Sequence, residues 1–213
     1  MKYENYIFDL DGTLLNTIDD LAASCNYALR SFDMPEHSVQ EIRQFVGNGV
    51  KKLMERSVPQ GIDNPKFEKV FQLFKAYYLD HSAVHTKPYD GIVELLKVLK
   101  SQGKGIAVVS NKFDAATKDL TKQYFGDTIT VAIGESKDIH KKPAPDMLLE
   151  AMRQLGSTSE NTVYIGDSDV DIATAQNCSL PCVSVLWGFR DRKFLIGHGA
   201  SVLVSHPLDI LNL

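Results

Sequence analysis

Helical periodicity dominates the first part of the chain after one short apolar strand. Residues 6–10 are apolar except for Asp9, and from about Thr17 to His81 the apolar residues recur at spacings of three and four. Turn signals at DMPEH, VGNG and PQGIDNP divide this segment. The pattern predicts a compact helical bundle with helices over residues 18–32, 38–46, 50–58 and 65–81.

The pattern changes from Lys87 onward. Short apolar runs rich in β-branched residues alternate with amphipathic helical stretches, and the runs are GIAVVS, TITVAIG, NTVYIGD, PCVSVLWG and, more weakly, ASVLVS. This alternation predicts βαβ units and a mainly parallel sheet with helices on both faces. The strand at residues 6–10 has no other partner, so we expect it to join this sheet.

The predicted fold class is therefore α/β, with a Rossmann-like parallel core and an inserted all-helical domain. We place the core domain at residues 1–15 and 85–213 and the helical domain at residues 16–84. A chain of 213 residues with 44% hydrophobic content can bury a substantial core.

Charge and hydropathy narrow the possible partners. The formal net charge of -4 argues against a nucleic-acid footprint, which requires clustered Lys and Arg. No apolar run approaches the roughly 18 residues that span a bilayer, and the start MKYENY lacks the apolar segment of a secretory signal. We expect a cytoplasmic protein without nucleic-acid or membrane partners.

The cysteines and two closely spaced histidines have ordinary interpretations. Cys25, Cys178 and Cys182 are an odd count without C-x-x-C spacing, which is typical of reduced thiols in the core of a cytosolic protein. His81 and His85 have the spacing of zinc ligands on one helical face, but no Glu follows His81. A helix end or linker is the favoured interpretation.

Polar residues follow the predicted strands at the points where the strands end. In parallel sheets these carboxyl ends meet at one edge, which is where open α/β sheets bind ligands. These residues are Asp9 and Asp11 at the end of the first strand, Ser110, Asn111 and Lys112 where GIAVVS ends, Lys142 in HKKPAPD, and Asp167, Ser168, Asp169 and Asp171 after TVYI.

Each of these motifs also has a purely structural interpretation. D-x-D-G can be a turn, Ser-Asn a helix N-cap, and Gly-Asp-Ser a turn followed by a cap. A calcium loop starting at Asp9 fails because its sixth position is Leu14 instead of glycine. Gly47 and Gly49 give only a weak phosphate-loop signal, since no strand precedes them. The combination at three strand ends favours a functional site.

The chemistry of these residue types indicates phosphoryl transfer. The closely spaced carboxylates of Asp9 and Asp11 repel each other unless a cation lies between them. Asp9 and Asp167 can supply the hard oxygen ligands that Mg²⁺ prefers. Lys142 and the Ser110 hydroxyl would help to neutralise a phosphoryl group. Asp9 could then act as a nucleophile and form an aspartyl-phosphate.

These motifs resemble those of the haloacid-dehalogenase superfamily, over nearly the whole chain. The four motifs are DLDGT at Asp9, SN at Ser110, KP at Lys142 and GDSDVD at Asp167 to Asp171. The resemblance implies that Asp9 is the nucleophile and that Asp11 is first general acid and then general base. Asp9, the Asp11 backbone carbonyl and Asp167 are implied Mg²⁺ ligands, and Lys142 is implied to stabilise the nucleophile and the phosphoryl group.

The resemblance implies supporting roles for four further residues. Ser110 and the Asn111 amide would hold phosphate. Asp171 and Thr13 would contact the catalytic residues and not the substrate, with Asp171 steadying Lys142 or metal-bound water. The second aspartate, Asp11, also favours a phosphatase over a dehalogenase, because an alkoxide leaving group needs a proton and a halide does not.

The helical insertion looks like the cap domain of the phosphoglycolate-phosphatase-like branch. IRQFVGNGVKKL is similar to that branch's specificity loop, which implies substrate contacts from Arg43, Gly47 and Gly49, and VLWGFRD also fits the branch. Ser179 departs from the pattern, since many relatives have glycine there.

Three functional hypotheses follow from the sequence. The favoured one is a Mg²⁺-dependent phosphatase acting on a small phosphorylated metabolite such as 2-phosphoglycolate. The second is a pyrophosphatase or a sugar-phosphate mutase, and the third is a non-catalytic phosphate- or nucleotide-binding module. The set Asp9, Asp11, Lys142 and Asp167 argues against the third, because binding alone needs no nucleophile. The substrate and the oligomeric state, monomer or dimer, stay open.

Overall fold

A computed structural model describes residues 2–213. The chain forms two compact units: one contains the residues up to Leu15 together with Pro88–Leu213, and the other is Asn16–Lys87. The junction predicted between residues 84 and 85 lies inside the second unit, close to its end at Lys87.

The first unit is built on a six-stranded parallel sheet. The strands of the described chain are β1 (Asn5–Phe8), β2 (Leu15–Asn16), β3 (Lys87–Pro88), β4 (Gly105–Phe113), β5 (Val131–Glu135), β6 (Thr162–Gly166), β7 (Cys182–Val185) and β8 (Val202–Val204). The sheet order is β5-β4-β1-β6-β7-β8, and each neighbouring pair is parallel. The short strands β2 and β3 pair with each other. The predicted α/β fold class is confirmed, and β1 joins the later strands as expected.

The helices complete the two units. They are α1 (Ile18–Arg30), α2 (Val39–Phe45), α3 (Val50–Ser57), α4 (Phe67–His81), α5 (Ile92–Ser101), α6 (Asp114–Phe125), α7 (Asp146–Leu155), α8 (Asp169–Asn177) and α9 (Arg192–Gly197), with 3₁₀ turns at Gly61–Asp63, Gly126–Thr128 and Pro207–Asn212. Within residues 2–213, no helix is both long and apolar enough to cross a membrane.

The central position of β1 explains why three of its four residues are large and apolar. All four of its residues are buried, and Ile7 pairs with Ala107 of β4 on one side and Tyr164 of β6 on the other. A parallel strand covered on both faces is mainly apolar, and here Asn5 at its start is the exception. Ile7 and Tyr164 pack in one core cluster with Met147 of α7. The polar residues after Phe8 therefore begin at the edge of this sheet.

Strand β4 continues further than its apolar run predicts. It extends to Phe113, with a register shift against β5 between Val109 and Phe113. Ser110, Asn111 and Lys112 are consequently buried strand residues. The alternative interpretation of Ser-Asn as a helix N-cap is wrong, because Phe113 occupies the N-cap position of α6. The strand pairs with β5 on both sides of this polar segment, at Val109 and at Phe113.

The contacts of His81 and His85 do not support a zinc site at these two residues. α4 ends at His81, so His85 does not share its helical face. The His81 ring stacks on Tyr77, with ring centroids 3.8 Å apart, and its Nδ1 lies 2.8 Å from the Tyr77 carbonyl. The backbone N–H of His85 donates to the buried Asp20 carboxylate. The linker interpretation fits these contacts.

The cysteines and Ser179 agree with the sequence expectations. All three cysteines are free thiols, with Cys25 buried and Cys178 and Cys182 half-buried against the core. Ser179 follows the C-terminus of α8 with φ 54°, in the left-handed region that favours glycine. The departure from glycine therefore places strain at this helix end and away from the polar strand ends.

Candidate active site

Three buried carboxylates meet where β1 and β6 end. Asp9 follows β1, Asp167 follows β6, and Asp171 lies in the first turn of α8. One oxygen of each lies within 4.8 Å of the others. Phe8 and Ile165 are paired neighbours in the sheet, so the residues that follow them emerge side by side at its carboxyl edge.

Lys142 provides the positive charge inside this cluster. Its side chain is 3% exposed, and Nζ lies 2.9 Å from Asp9 Oδ1 and 2.7 Å from Asp171 Oδ1. Nζ also donates to the Tyr164 hydroxyl at 3.0 Å. An ammonium group has three N–H donors, so these three oxygens account for all of them.

Asn111 fixes the backbone that carries Lys142. The Asn111 side chain accepts from the Lys142 N–H at 2.9 Å and donates to the Lys142 carbonyl at 2.9 Å. This paired contact links β4 to the segment between β5 and α7. The side chain of Asn111 is thus committed to Lys142, and only its backbone amide is left for the phosphate contact that was predicted.

Burial dominates the electrostatics of two of the carboxylates. Burial raises the pKa of Asp167 to about 7, and the Asp171 carboxylate adds to this effect. Burial also raises the pKa of Asp9 well above its ordinary value, against the opposing attraction of Lys142, and the Asp171 and Asp167 carboxylates add to the rise. Both groups would be stabilised in their charged forms by a nearby cation.

Lys142 and Asp171 behave as a charged pair. Burial alone would raise the pKa of Asp171, but the attraction of Lys142 and hydrogen bonds from Ser168 and Tyr164 lower it. Burial alone would lower the pKa of Lys142, but Asp171 and Asp9 raise it. One lysine then faces three carboxylates, and the cluster has an excess of potential negative charge.

The donor set of this cluster fits a Mg²⁺ ion. Carboxylate oxygens are the ligands that Mg²⁺ prefers, and a divalent cation would offset the crowding of three acids. Asp171 is the least suited to be a ligand, because Lys142 and Tyr164 donate to its Oδ1 and both Ser168 donors bond its Oδ2. Asp9 and Asp167 are therefore the side chains best suited to hold the ion.

The orientation of Asp167 depends on close backbone contacts. Its Oδ2 accepts from the Phe189 N–H at 2.7 Å, and its Oδ1 accepts weakly from the Thr13 hydroxyl at 3.4 Å. A Cβ on Gly188 would lie 2.3 Å from the Asp167 Cβ, and a Cβ on Gly12 would lie 2.4 Å from its Oδ2. Glycine is required at both positions for the chain to approach this carboxylate.

Asp11 lies beside a second buried lysine. Its Oδ1 accepts from Lys112 Nζ at 2.9 Å, and the Lys112 side chain is fully buried whereas that of Asp11 is 17% exposed. The Ser110 hydroxyl accepts from the Lys112 backbone N–H at 3.3 Å. The sequence shows Lys112 directly after Ser-Asn, but nothing in its spacing indicates a partner 101 residues away.

The three residues expected to contact substrate from the insertion belong to the helical unit. Arg43 is an exposed residue in the last turn of α2. Gly47 and Gly49 have φ values of 127° and 82°, in the left-handed region, and Gly49 occupies the N-cap position of α3. The VGNG turn therefore depends on glycine for its backbone conformation.

Comparisons with known proteins agree with this architecture. The chain matches the family model described as haloacid dehalogenase-like hydrolase over residues 6–185. It is 31% identical to the phosphoglycolate phosphatase of Aquifex aeolicus, over 97% of this chain and 94% of that protein. It is 29% identical to the N-acetylmuramic acid 6-phosphate phosphatase of Pseudomonas aeruginosa, over 100% of this chain and 95% of that protein.

A solved structure shows the same fold at higher sequence identity. It is a protein of Lactobacillus delbrueckii subsp. bulgaricus, provisionally named a phosphoglycolate phosphatase, with 36% identity and a TM-score of 0.93. The alignment covers 99% of this chain and 97% of that one. Since the family model also matches most of the sequence, the chain belongs to the haloacid dehalogenase-like hydrolase family, as its motifs predicted.

Proposed function

We propose that this protein is a Mg²⁺-dependent phosphatase that hydrolyses a small phosphorylated metabolite through an aspartyl-phosphate on Asp9. The observation that supports this proposal most directly is the contact of Asp9 with Lys142 inside the buried carboxylate cluster. Relatives named as phosphatases over nearly the whole chain support the same reaction class. Phosphoglycolate is the substrate that we favour.

In the first step, an Asp9 carboxylate oxygen attacks phosphorus. The new Asp9–phosphorus bond forms as the bond from phosphorus to the leaving oxygen breaks, and Asp11 gives its proton to that oxygen. Lys142 stabilises the negative charge of the transferred group, and Ser110 with the Asn111 backbone amide holds its oxygens. Asp9, Asp167 and the Asp11 carbonyl would hold the Mg²⁺ ion, which would supply further positive charge for the same purpose.

In the second step, water replaces Asp9 on phosphorus. Asp11, now ionised, accepts a proton from the attacking water, and the Asp9 carboxylate leaves with the bonding electrons. Inorganic phosphate is released and both aspartates return to their starting forms. Thr13 and Asp171 act indirectly, because Thr13 donates to Asp167 and Asp171 accepts from Lys142.

N-acetylmuramic acid 6-phosphate is a second candidate substrate, because one of the relatives acts on it by name. A phosphate-release assay with both esters, with pyrophosphate and with p-nitrophenyl phosphate distinguishes these cases. We expect the highest kcat/KM for phosphoglycolate. Release from pyrophosphate alone would indicate a pyrophosphatase, transfer without release would indicate a mutase, and binding without turnover would indicate a non-catalytic module.

The cellular location of the enzyme and its partners are also proposals. We propose a cytoplasmic enzyme whose partner is a small phosphorylated molecule, without nucleic-acid or membrane partners. The net charge of -4 supports the exclusion of nucleic acid.

Mg²⁺ is expected to activate the enzyme and Ca²⁺ to inhibit it. Calcium accepts roughly 6–8 oxygen ligands in loose geometry, so it can engage both oxygens of Asp9 and leave neither free to attack phosphorus. Chelator-treated protein assayed with each ion tests this expectation. Thermal unfolding provides a readout besides activity, since Mg²⁺ should raise the midpoint by offsetting the crowded acids. Full activity in calcium or in excess chelator would contradict the metal requirement.

The helical unit is expected to act as a cap that sets substrate specificity. Replacing Arg43 with alanine, or both Gly47 and Gly49 with valine, should lower kcat/KM for the physiological substrate by at least about tenfold. The sheet unit supplies the phosphoryl chemistry, so the rest of the substrate must be recognised elsewhere, and glycine lets backbone amides approach a ligand. Hydrolysis of p-nitrophenyl phosphate should change much less. Equal losses of kcat/KM on both substrates would contradict a role of the helical unit in substrate specificity.

A further inference from the structure

The Tyr164 hydroxyl lies inside the polar cluster, although its ring belongs to the apolar core. Tyr164 is on β6, its side chain is fully buried, and its ring packs in the core cluster with Ile7 and Met147. The hydroxyl lies 2.7 Å from Asp171 Oδ1 and 3.0 Å from Lys142 Nζ. Nothing in the sequence pattern assigns this residue to the site, because it occupies an apolar strand position.

The directions of these two hydrogen bonds are fixed by chemistry. An ammonium group can only donate and an ionised carboxylate can only accept, so the Tyr164 hydroxyl accepts from Lys142 and donates to Asp171. Burial, together with the charges of Asp171 and Asp9, raises the pKa of Tyr164 well above its ordinary value, so the phenol retains its proton. The hydroxyl thus closes a triangle with the ion pair.

The geometry points to Tyr164 as a positioning residue that holds the Lys142 ammonium against Asp9. Lys142 has one N–H for each of Asp9, Asp171 and Tyr164, and with all three acceptors present its orientation is determined. Without the hydroxyl, one buried N–H loses its acceptor and Asp171 loses a donor. The ammonium is then free to rotate, and its contact with Asp9 is no longer fixed.

The chain offers a matched control on the neighbouring strand. Tyr6 on β1 is also fully buried, and its hydroxyl has no hydrogen-bond partner among residues 2–213. Tyr164→Phe and Tyr6→Phe therefore each delete one buried oxygen from adjacent strands of the same sheet. Only the first deletion removes contacts with Lys142 and Asp171.

Kinetics with p-nitrophenyl phosphate test the inference, and this readout rests on the proposed phosphatase function. Tyr164→Phe should lower kcat about tenfold and leave KM within about twofold, because the hydroxyl touches Lys142 and not the substrate. Tyr6→Phe should leave both constants within about twofold. In a Lys142→Arg background, Tyr164→Phe should have much less effect, since it acts through the lysine.

Magnetic resonance of the lysine ammonium groups gives a second readout that needs no turnover. With ¹⁵N-labelled lysine, the Lys142 signal is identified by its loss in Lys142→Arg. Its hydrogen exchange should accelerate at least about tenfold in Tyr164→Phe and remain unchanged in Tyr6→Phe. An inactive wild type would contradict the phosphatase function and leave this test to decide on Tyr164.

Three results would overturn the inference. The first is an unchanged Lys142 exchange rate in Tyr164→Phe. The second is an equal loss of kcat in the wild-type and Lys142→Arg backgrounds, which would mean that the hydroxyl acts independently of the lysine. The third is failure of Tyr164→Phe to fold while Tyr6→Phe folds, which would mean a role in stability.

Discussion

Replacing Asp9 with asparagine will lower phosphate release by at least about a thousandfold while the protein stays folded. An amide is a poor nucleophile, and as a neutral group it is a weaker ligand for Mg²⁺ than a carboxylate. Asp9 is buried with Asp167 and Asp171, so the change also removes one of three crowded acids. The relief of that repulsion offsets the lost ion pair with Lys142, and we expect a folded variant.

Steady-state assays and circular dichroism check this result. Asp119→Asn is a suitable control because Asp119 is an exposed residue of α6, and it should retain wild-type activity. If Asp9→Asn kept a tenth of wild-type activity, Asp9 could not be the nucleophile and the covalent mechanism would be wrong.

Replacing Lys142 with methionine will reduce both activity and stability. Removing one partner of a buried ion pair leaves uncompensated charge and typically costs about 3–5 kcal/mol of unfolding free energy. Lys142 balances Asp9 and Asp171 together, so the loss should fall in this range. Activity should fall at least about a thousandfold, because the Lys142 ammonium directly contacts the Asp9 carboxylate.

Magnesium should partly restore the stability of Lys142→Met. A bound cation takes over some of the neutralisation, so the Mg²⁺-induced rise in the unfolding midpoint should be larger in the variant than in the wild type. Lys141→Met is the matched control, since Lys141 is 40% exposed and lies 3.4 Å from Glu135. A surface pair of this kind contributes about 0–1 kcal/mol. Equal stability of the two variants would contradict the structural role of Lys142.

The sequence was most informative where polar residues interrupt apolar strands. Asp9 and Asp167 directly follow buried strands, and the physics of parallel sheets requires such ends to meet. Their proximity and that of Lys142 could therefore be anticipated from the sequence. The extension of β4 through Ser110 and Asn111 could not, because it depends on pairing with β5 on both sides of the polar segment.

Contacts between distant residues were the part that the sequence could not provide. Tyr164 is 22 residues from Lys142, and Lys112 is 101 residues from Asp11. In the sequence, Tyr164 is one more apolar position in a strand, and Lys112 is a lysine next to a recognisable motif. Gly188 shows its importance only through its approach to Asp167. Each of these depends on which strands become neighbours.

The central claim is that the phosphoryl group is transferred to Asp9 before water releases it. The Asp11→Asn variant is the most suitable protein in which to detect this aspartyl-phosphate. With p-nitrophenyl phosphate the leaving group needs no proton, so the first step proceeds in this variant. The second step needs Asp11 as a base and should stall, so that the phosphorylated enzyme accumulates.

Borohydride reduction converts an aspartyl-phosphate to homoserine, which peptide mass spectrometry can locate in the chain. After the variant is mixed with Mg²⁺ and p-nitrophenyl phosphate, quenched and reduced, we expect homoserine at position 9 in a substantial fraction of the protein. Steady release of phosphate by the variant at the wild-type rate without homoserine at position 9, or homoserine at another aspartate, would contradict the account.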